Sequence, residues 1–292
     1  MNDDHDGNVL IRDLRLLTER RQFLRWLGAL SLAPVVGCAT ENLLSDAGMS
    51  PAGAAGAASG SAGSKGAAGA SGTASSTTSS GGSCTTIPEE TGGPYPGDGS
   101  NGPNALTLKD IVRSDIRSSI APASGTAAGV PLTIELSLVD AKGNCAPLSG
   151  FAIYLWHCDR DGNYSMYSAA AASENYLRGV QETDAQGIAK FVSIFPACYS
   201  GRWPHIHFEV YESLAGATSG GNKLATSQLA MPEASCNEVF ATDGYSASVR
   251  NLTQVSLASD NVFRDGATLE TPEISGSPSQ GYTVSLKAAV NT

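Results

Sequence analysis

The sequence predicts an all-β domain built as an antiparallel β-sandwich, and three observations carry that expectation. Leu132, Ile134, Leu136 and Leu138 alternate with Thr133, Glu135 and Ser137, the period of a strand with one face in a core. Short apolar runs of this kind recur, separated by polar turns such as Asp140-Ala141-Lys142-Gly143-Asn144 and Asp184-Ala185-Gln186-Gly187. No stretch sustains a helical apolar period, and no repeat suggests a propeller.

Taken in order, residues 88–96 are rich in Pro and Gly and are expected as an irregular surface segment. Residues 106–120 give mixed signals and are expected as coil with one short helical turn. After the 132–138 strand, residues 151–157 are apolar on both faces, which predicts a central strand covered on two sides. Residues 180–183 and 188–195 flank the second turn and predict a hairpin. A strand through His205–Val210 follows, then strands over 226–231 and 282–289.

The first eighty residues read differently. Arg20 and Arg21 precede Phe23, Leu24 and an apolar run over 26–36, too short to span a membrane but right for a signal segment. The arginine pair resembles a twin-arginine export signal. Val35-Val36-Gly37-Cys38 resembles a lipobox, so residues 1–37 are expected to be removed and Cys38 to carry lipid. Almost all of the rest, to residue 83, is Ala, Gly, Ser and Thr, which cannot bury enough surface to offset its ordering entropy and predicts a flexible tether over 38–83. The folded domain is then 84–292. An exported product follows: a cell-envelope lipoprotein, or a periplasmic or extracellular protein, touching a membrane only through Cys38.

The formal net charge is −10, and the arginines and acids of residues 1–37 cancel. An acidic domain without a basic run argues against nucleic-acid binding. With Cys38 assigned to lipid, Cys84, Cys145, Cys158, Cys198 and Cys236 remain. In an oxidising compartment the arithmetic favours two disulfides and one free thiol, with Cys84 placed to staple an end. The pairing and the oligomeric state are not encoded in any local pattern.

The densest chemistry lies in residues 195–209. His205 and His207 share one face of their strand, while Ile206, Phe208 and Val210 share the other. Tyr199 stands just upstream in a turn bracketed by Pro196, Gly201 and Pro204, and Arg202 adds a permanent cation suited to an anionic substrate. A second turn, Asp161-Gly162, carries Tyr164 just beyond the strand that ends in Trp156-His157.

The series Trp156-His157-Cys158-Asp159-Arg160-Asp161-Gly162-Asn163-Tyr164, then Pro196 to Phe208, then Thr226-Ser227-Gln228-Leu229, resembles the intradiol ring-cleavage dioxygenases. That family includes protocatechuate 3,4-dioxygenase and catechol 1,2-dioxygenase. The resemblance implies a β-sandwich of the same type and one non-haem Fe(III) held by Tyr164, Tyr199, His205 and His207. It implies O₂-dependent cleavage of a catechol-type aromatic diol to a cis,cis-muconate-type product, with Tyr199 leaving the metal when the diol binds. Arg202 matches the family's arginine beside the ring, Gln228 its hydrogen-bonding glutamine, and Tyr95 a wall of the substrate pocket. The helical N-terminal dimerisation segment of catechol 1,2-dioxygenases has no counterpart, and the stretch from Tyr199 to His205 is shorter, which leaves substrate choice open. The export signal resembles that of the family's secreted bacterial branch.

Two other readings compete. His205, His207 and Glu209 on one strand face, or His157 as a third imidazole, would make a His/carboxylate metal site. A tethered β-sandwich is also the design of a non-catalytic surface binding module.

Overall fold

Residues 84–292 are described by the computed structural model. The expected signal (1–37), the lipid-bearing Cys38 and the tether (38–83) lie outside the described residues. Eight strands form two four-stranded sheets. The first joins β4 (Ile188–Ile194), β1 (Pro131–Asp140), β8 (Gly281–Val290) and β7 (Glu273–Ser277), in that order. The second joins β3 (Arg178–Glu182), β2 (Ala152–Trp156), β5 (His205–Tyr211) and β6 (Lys223–Ala230).

Between the sheets, Leu132, Ile134 and Leu136 of β1 share one core with Ile153 and Leu155 of β2 and Ile206 and Phe208 of β5. The β1 pattern puts alternate residues there, as its period demands. Every residue of β2 is buried, and β2 lies between β3 and β5, the central position that its two-sided apolarity predicts.

The sandwich is as expected, with two departures in pairing. The segments expected as a hairpin, β3 and β4, fall in different sheets, because the 184–187 turn carries the chain from the second sheet to the first instead of folding it back on its neighbour. β1 and β8 run parallel, from Leu132 opposite Tyr282 to Asp140 opposite Val290, while the other pairs are antiparallel. A parallel pair needs a long crossover, and here the rest of the domain supplies it. Edge strand β7 and three helices, α1 (Leu214–Thr218), α2 (Glu233–Phe240) and α3 (Ser246–Leu252), are additions to the expected elements. Helices of five to eight residues are too short to print a period, and β7 is largely exposed, so it lacks alternation. A 3-10 turn at Ala105–Thr107 opens the mixed stretch, and isolated bridges tie Val112 to Val180 and Asp115 to Val192.

The cysteines depart from the expected two disulfides. Cys84 and Cys145 form the one disulfide among the described residues, and Cys158, Cys198 and Cys236 are buried free thiols. Cys158 follows β2, Cys198 lies in the loop before β5 and Cys236 rides on α2. Each packs as a small apolar group, and burial pushes their thiols up, that of Cys198 to about 12.

Candidate active site

The site is built on the outer face of the second sheet, at the start of β5. His205 and His207 project there together, as their spacing requires, and both are buried. His205 donates from Nδ1 to Trp203 O at 2.5 Å, which turns the unprotonated Nε2 towards the site. Three groups surround that nitrogen: His207 Nε2 at 3.1 Å, Tyr164 Oη at 3.3 Å and Tyr199 Oη at 3.3 Å. The two phenol oxygens are 3.5 Å apart. His207 is held flat by Trp156, its cross-strand partner, whose ring stacks on it at 4.9 Å and 4°.

Each tyrosine reaches the site from a loop with its own fastening. Asp159 Oδ1 accepts from the Asp161 and Asn163 amides, closing the expected turn with Gly162 at φ 88°, and Ser168 Oγ accepts from Tyr164 N. The Tyr199 loop is pinned by α3, because Ser248 Oγ accepts from Cys198 N and Asn251 Nδ2 donates to Cys198 O. Tyr164 is buried and Tyr199 half-buried.

Arg202 brings a cation to the same place, with Nη1 3.4 Å from His205 Nε2. Asp260 fixes it through an ion pair at 3.0 Å to Nε, and Gln228 Oε1 accepts from Nη2 at 2.8 Å. Asp260 also accepts from the amides of Trp203, Val262 and Phe263. Burial raises its pKa, but the Trp203 amide and Arg202 outweigh that and keep the carboxyl below its usual range. Gln228 lies opposite His207 in the β5–β6 register and donates from Nε2 to Thr91 O at 2.7 Å, so both ends of its amide are engaged. Tyr95 is partly exposed and stands against Tyr164 and Tyr167, with ring centroids 5.1 and 5.2 Å away.

The electrostatics suit a cation. Burial depresses both imidazoles, His205 to about 3 with Arg202 adding to the effect, so both are neutral lone-pair donors at neutral pH. Burial raises both phenols, Tyr199 to about 12, so without a positive charge between them they stay protonated. His207 Nδ1 is buried without a partner. Among the described residues no group of three His, Cys, Asp or Glu side chains can hold a metal, so a metal site here needs the tyrosines. Donors at about 2 Å from a four-coordinate metal are separated by about 3.3 Å, close to the spacing around His205 Nε2.

The competing ligands are committed elsewhere. Glu209 accepts from Tyr211 Oη at 2.7 Å and pairs with Lys223 at 3.0 Å. His157 donates from Nδ1 to Cys158 O and accepts at Nε2 from Ser193 Oγ. Sequence reasoning missed Asp260, Ser248 and Asn251, and it named Trp156 without its stacking on His207. Asp260 is 58 positions from Arg202, and no local pattern marks such a partner.

The sandwich is that of the intradiol ring-cleavage dioxygenases, a family of oxidoreductases. Residues 111–210 match the family model described as "Dioxygenase". An intradiol ring-cleavage dioxygenase from Tetranychus urticae superposes with a TM-score of 0.55 at 25% identity, covering 71% of this chain and 95% of its own. A dioxygenase designated Tetur07g02040 gives 0.55 at 24% identity with the same coverage. A looser likeness, with a TM-score of 0.44 at 22% identity, covers 71% of this chain and 99% of the dioxygenase domain of a dioxygenase carbohydrate-binding protein fusion from Streptomyces sp. SirexAA-E. No curated protein matches in sequence.

Proposed function

We propose that the domain holds one Fe(III) on Tyr164, Tyr199, His205 and His207 and cleaves a catechol-type aromatic diol with O₂ to a cis,cis-muconate-type diacid. The observation that carries this reading is the convergence of two phenol oxygens and a second imidazole nitrogen on His205 Nε2, within 3.1 to 3.3 Å. Two hard anionic oxygens and two neutral imidazoles are a donor set that suits ferric iron. When bound, the ion would hold the phenols ionised by its charge and draw electron density from a diol ring, opening it to O₂.

The remaining work falls to the chain. Arg202, immobilised by Asp260 and Gln228, offsets negative charge that develops on the diol and its oxygens. Tyr199, the more exposed of the two tyrosines, can take a diol proton at its phenolate oxygen. Tyr95 walls the side where an aromatic ring would enter.

In the same reading the enzyme is exported and held at the cell envelope by a lipid on Cys38, or released as a periplasmic or extracellular protein. The sequence motifs support this, and so does a disulfide, which suits an oxidising compartment. Cys84 and Cys145 are both half-buried at the edge of the domain, so their bond can close after an already folded domain has crossed a membrane.

The test is direct. Purified protein should contain one iron per chain, show an intense visible phenolate-to-iron band and take up O₂ with catechols. Colourless, iron-free protein that cannot be reconstituted would end the proposal. Tyr199→Phe should weaken or blue-shift the band and slow turnover, and an unchanged spectrum would remove Tyr199 from the ligand set.

A further inference from the structure

A single row of side chains links the site to the segment that covers it. Register sets Arg178 opposite Trp156, Trp156 opposite His207 and His207 opposite Gln228, one line across all four strands of the second sheet. Residues 91–96 lie over this line. At one end Gln228 Nε2 donates to Thr91 O at 2.7 Å. At the other, Arg178 Nη1 donates to Pro96 O at 2.7 Å and Nη2 to Tyr95 O at 3.0 Å. Between them Gly93 passes over His207 with φ 69°, where an added Cβ would stand 3.4 Å from the imidazole Cε1.

Arg178 is almost completely buried, and among the described residues it pairs with no carboxylate. Instead all five N–H groups are spent on oxygens. Besides the two carbonyls above, Nη1 reaches Tyr154 Oη at 3.1 Å, Nε reaches Ser165 Oγ at 3.1 Å and Nη2 reaches Ser165 O at 2.9 Å. Its guanidinium also lies 5.4 Å from the Tyr167 ring. A buried charge without a counter-ion is expensive to keep. What it achieves here is a fork that binds two chain segments at once, which the single nitrogen of a lysine cannot do. One segment carries Tyr95, and the other carries Tyr164 next to Ser165.

We propose that Arg178 is a positioning residue for the active site, clamping the segment over His207 and the Tyr164 loop to a common point on the sheet. The consequence for turnover rests on the dioxygenase reading; the clamp itself does not. The test compares wild type, Arg178→Lys and, as a control for general destabilisation, Ile134→Val in the other sheet, all in the full chain. Hydrogen exchange is read at amides of residues 92–98 and 164–168, alongside KM and kcat for catechol.

Arg178→Lys should speed exchange in both segments together, by about tenfold, the loss of one or two net hydrogen bonds. Amides of β1 and β8 should change less than about twofold by the same reasoning, and KM should rise more than kcat falls. Ile134→Val should not reproduce the pattern. Unchanged exchange in either segment, or an equal rise throughout both sheets, would overturn the clamp. Should Arg178→Lys not fold, Tyr154→Phe and Ser165→Ala decide: the first should loosen 92–98 and the second 164–168, and no change in either would overturn it. Loosened segments in a protein that never cleaves catechol would retire the dioxygenase reading and leave the clamp standing. Normal turnover with unchanged exchange would do the reverse.

Discussion

The two sheets of this sandwich have similar core faces and opposite outer faces. On β1 and β8 most outward residues are partly or fully exposed, Val139 and Ala289 excepted, and Glu135 pairs across strands with Lys190 at the surface. On β2 and β5 every residue is buried, the outward ones included. Residues 91–96 and the loops carrying Tyr164 and Tyr199 lie over that face and turn it into an interior. Polar groups there are neutral, hydrogen-bonded or ion-paired, because burial leaves no other stable state. One sheet therefore serves stability and its partner carries the candidate active site, although both use the same strand period.

The sharpest test of that division is His207→Ala. With His207 a ligand of the proposed Fe(III), activity should fall more than about a hundredfold, since even outer partners of metal ligands are worth 10–100-fold. Folding should survive, as thermal melting beside iron content would report. Ile134→Ala in the opposite sheet should do the reverse. It should cost about 2–5 kcal/mol of stability in denaturant titration while leaving the rate per folded molecule unchanged.

Asp260→Asn probes the point where the division blurs, because this buried carboxylate both fastens Arg202 and satisfies three amides. Breaking such a pair should cost about 3 kcal/mol and raise KM for the diol as well. A variant that loses only stability would mean that Arg202 does not need Asp260 for its orientation. At the small end, Lys190→Met should change stability by less than about 1 kcal/mol and activity not at all, as expected of an exposed pair.

Much of this architecture was legible in the chain itself. The alternation of β1, the two-sided apolarity of β2 and the common face of His205 and His207 are local, since strand geometry fixes where i and i+2 point. Turn chemistry marked the Asp161-Gly162 corner. The short helices and exposed β7 left no period to read, and the expected second disulfide does not form, since Cys158, Cys198 and Cys236 are all buried free thiols. Arg178, two residues ahead of the strand expected over 180–183, carried no local signal, because its importance lies in carbonyls as many as 83 residues away.

The order of residues alone therefore determined every strand but β7, the paired imidazoles and the candidate tyrosines, because backbone period and turn preference act within a few positions. Only the tertiary structure decided which outer face would be sealed, how Arg202 and Arg178 are held and which cysteines bond. Those outcomes depend on register and on hydrogen bonds between distant segments, which no short stretch of sequence contains.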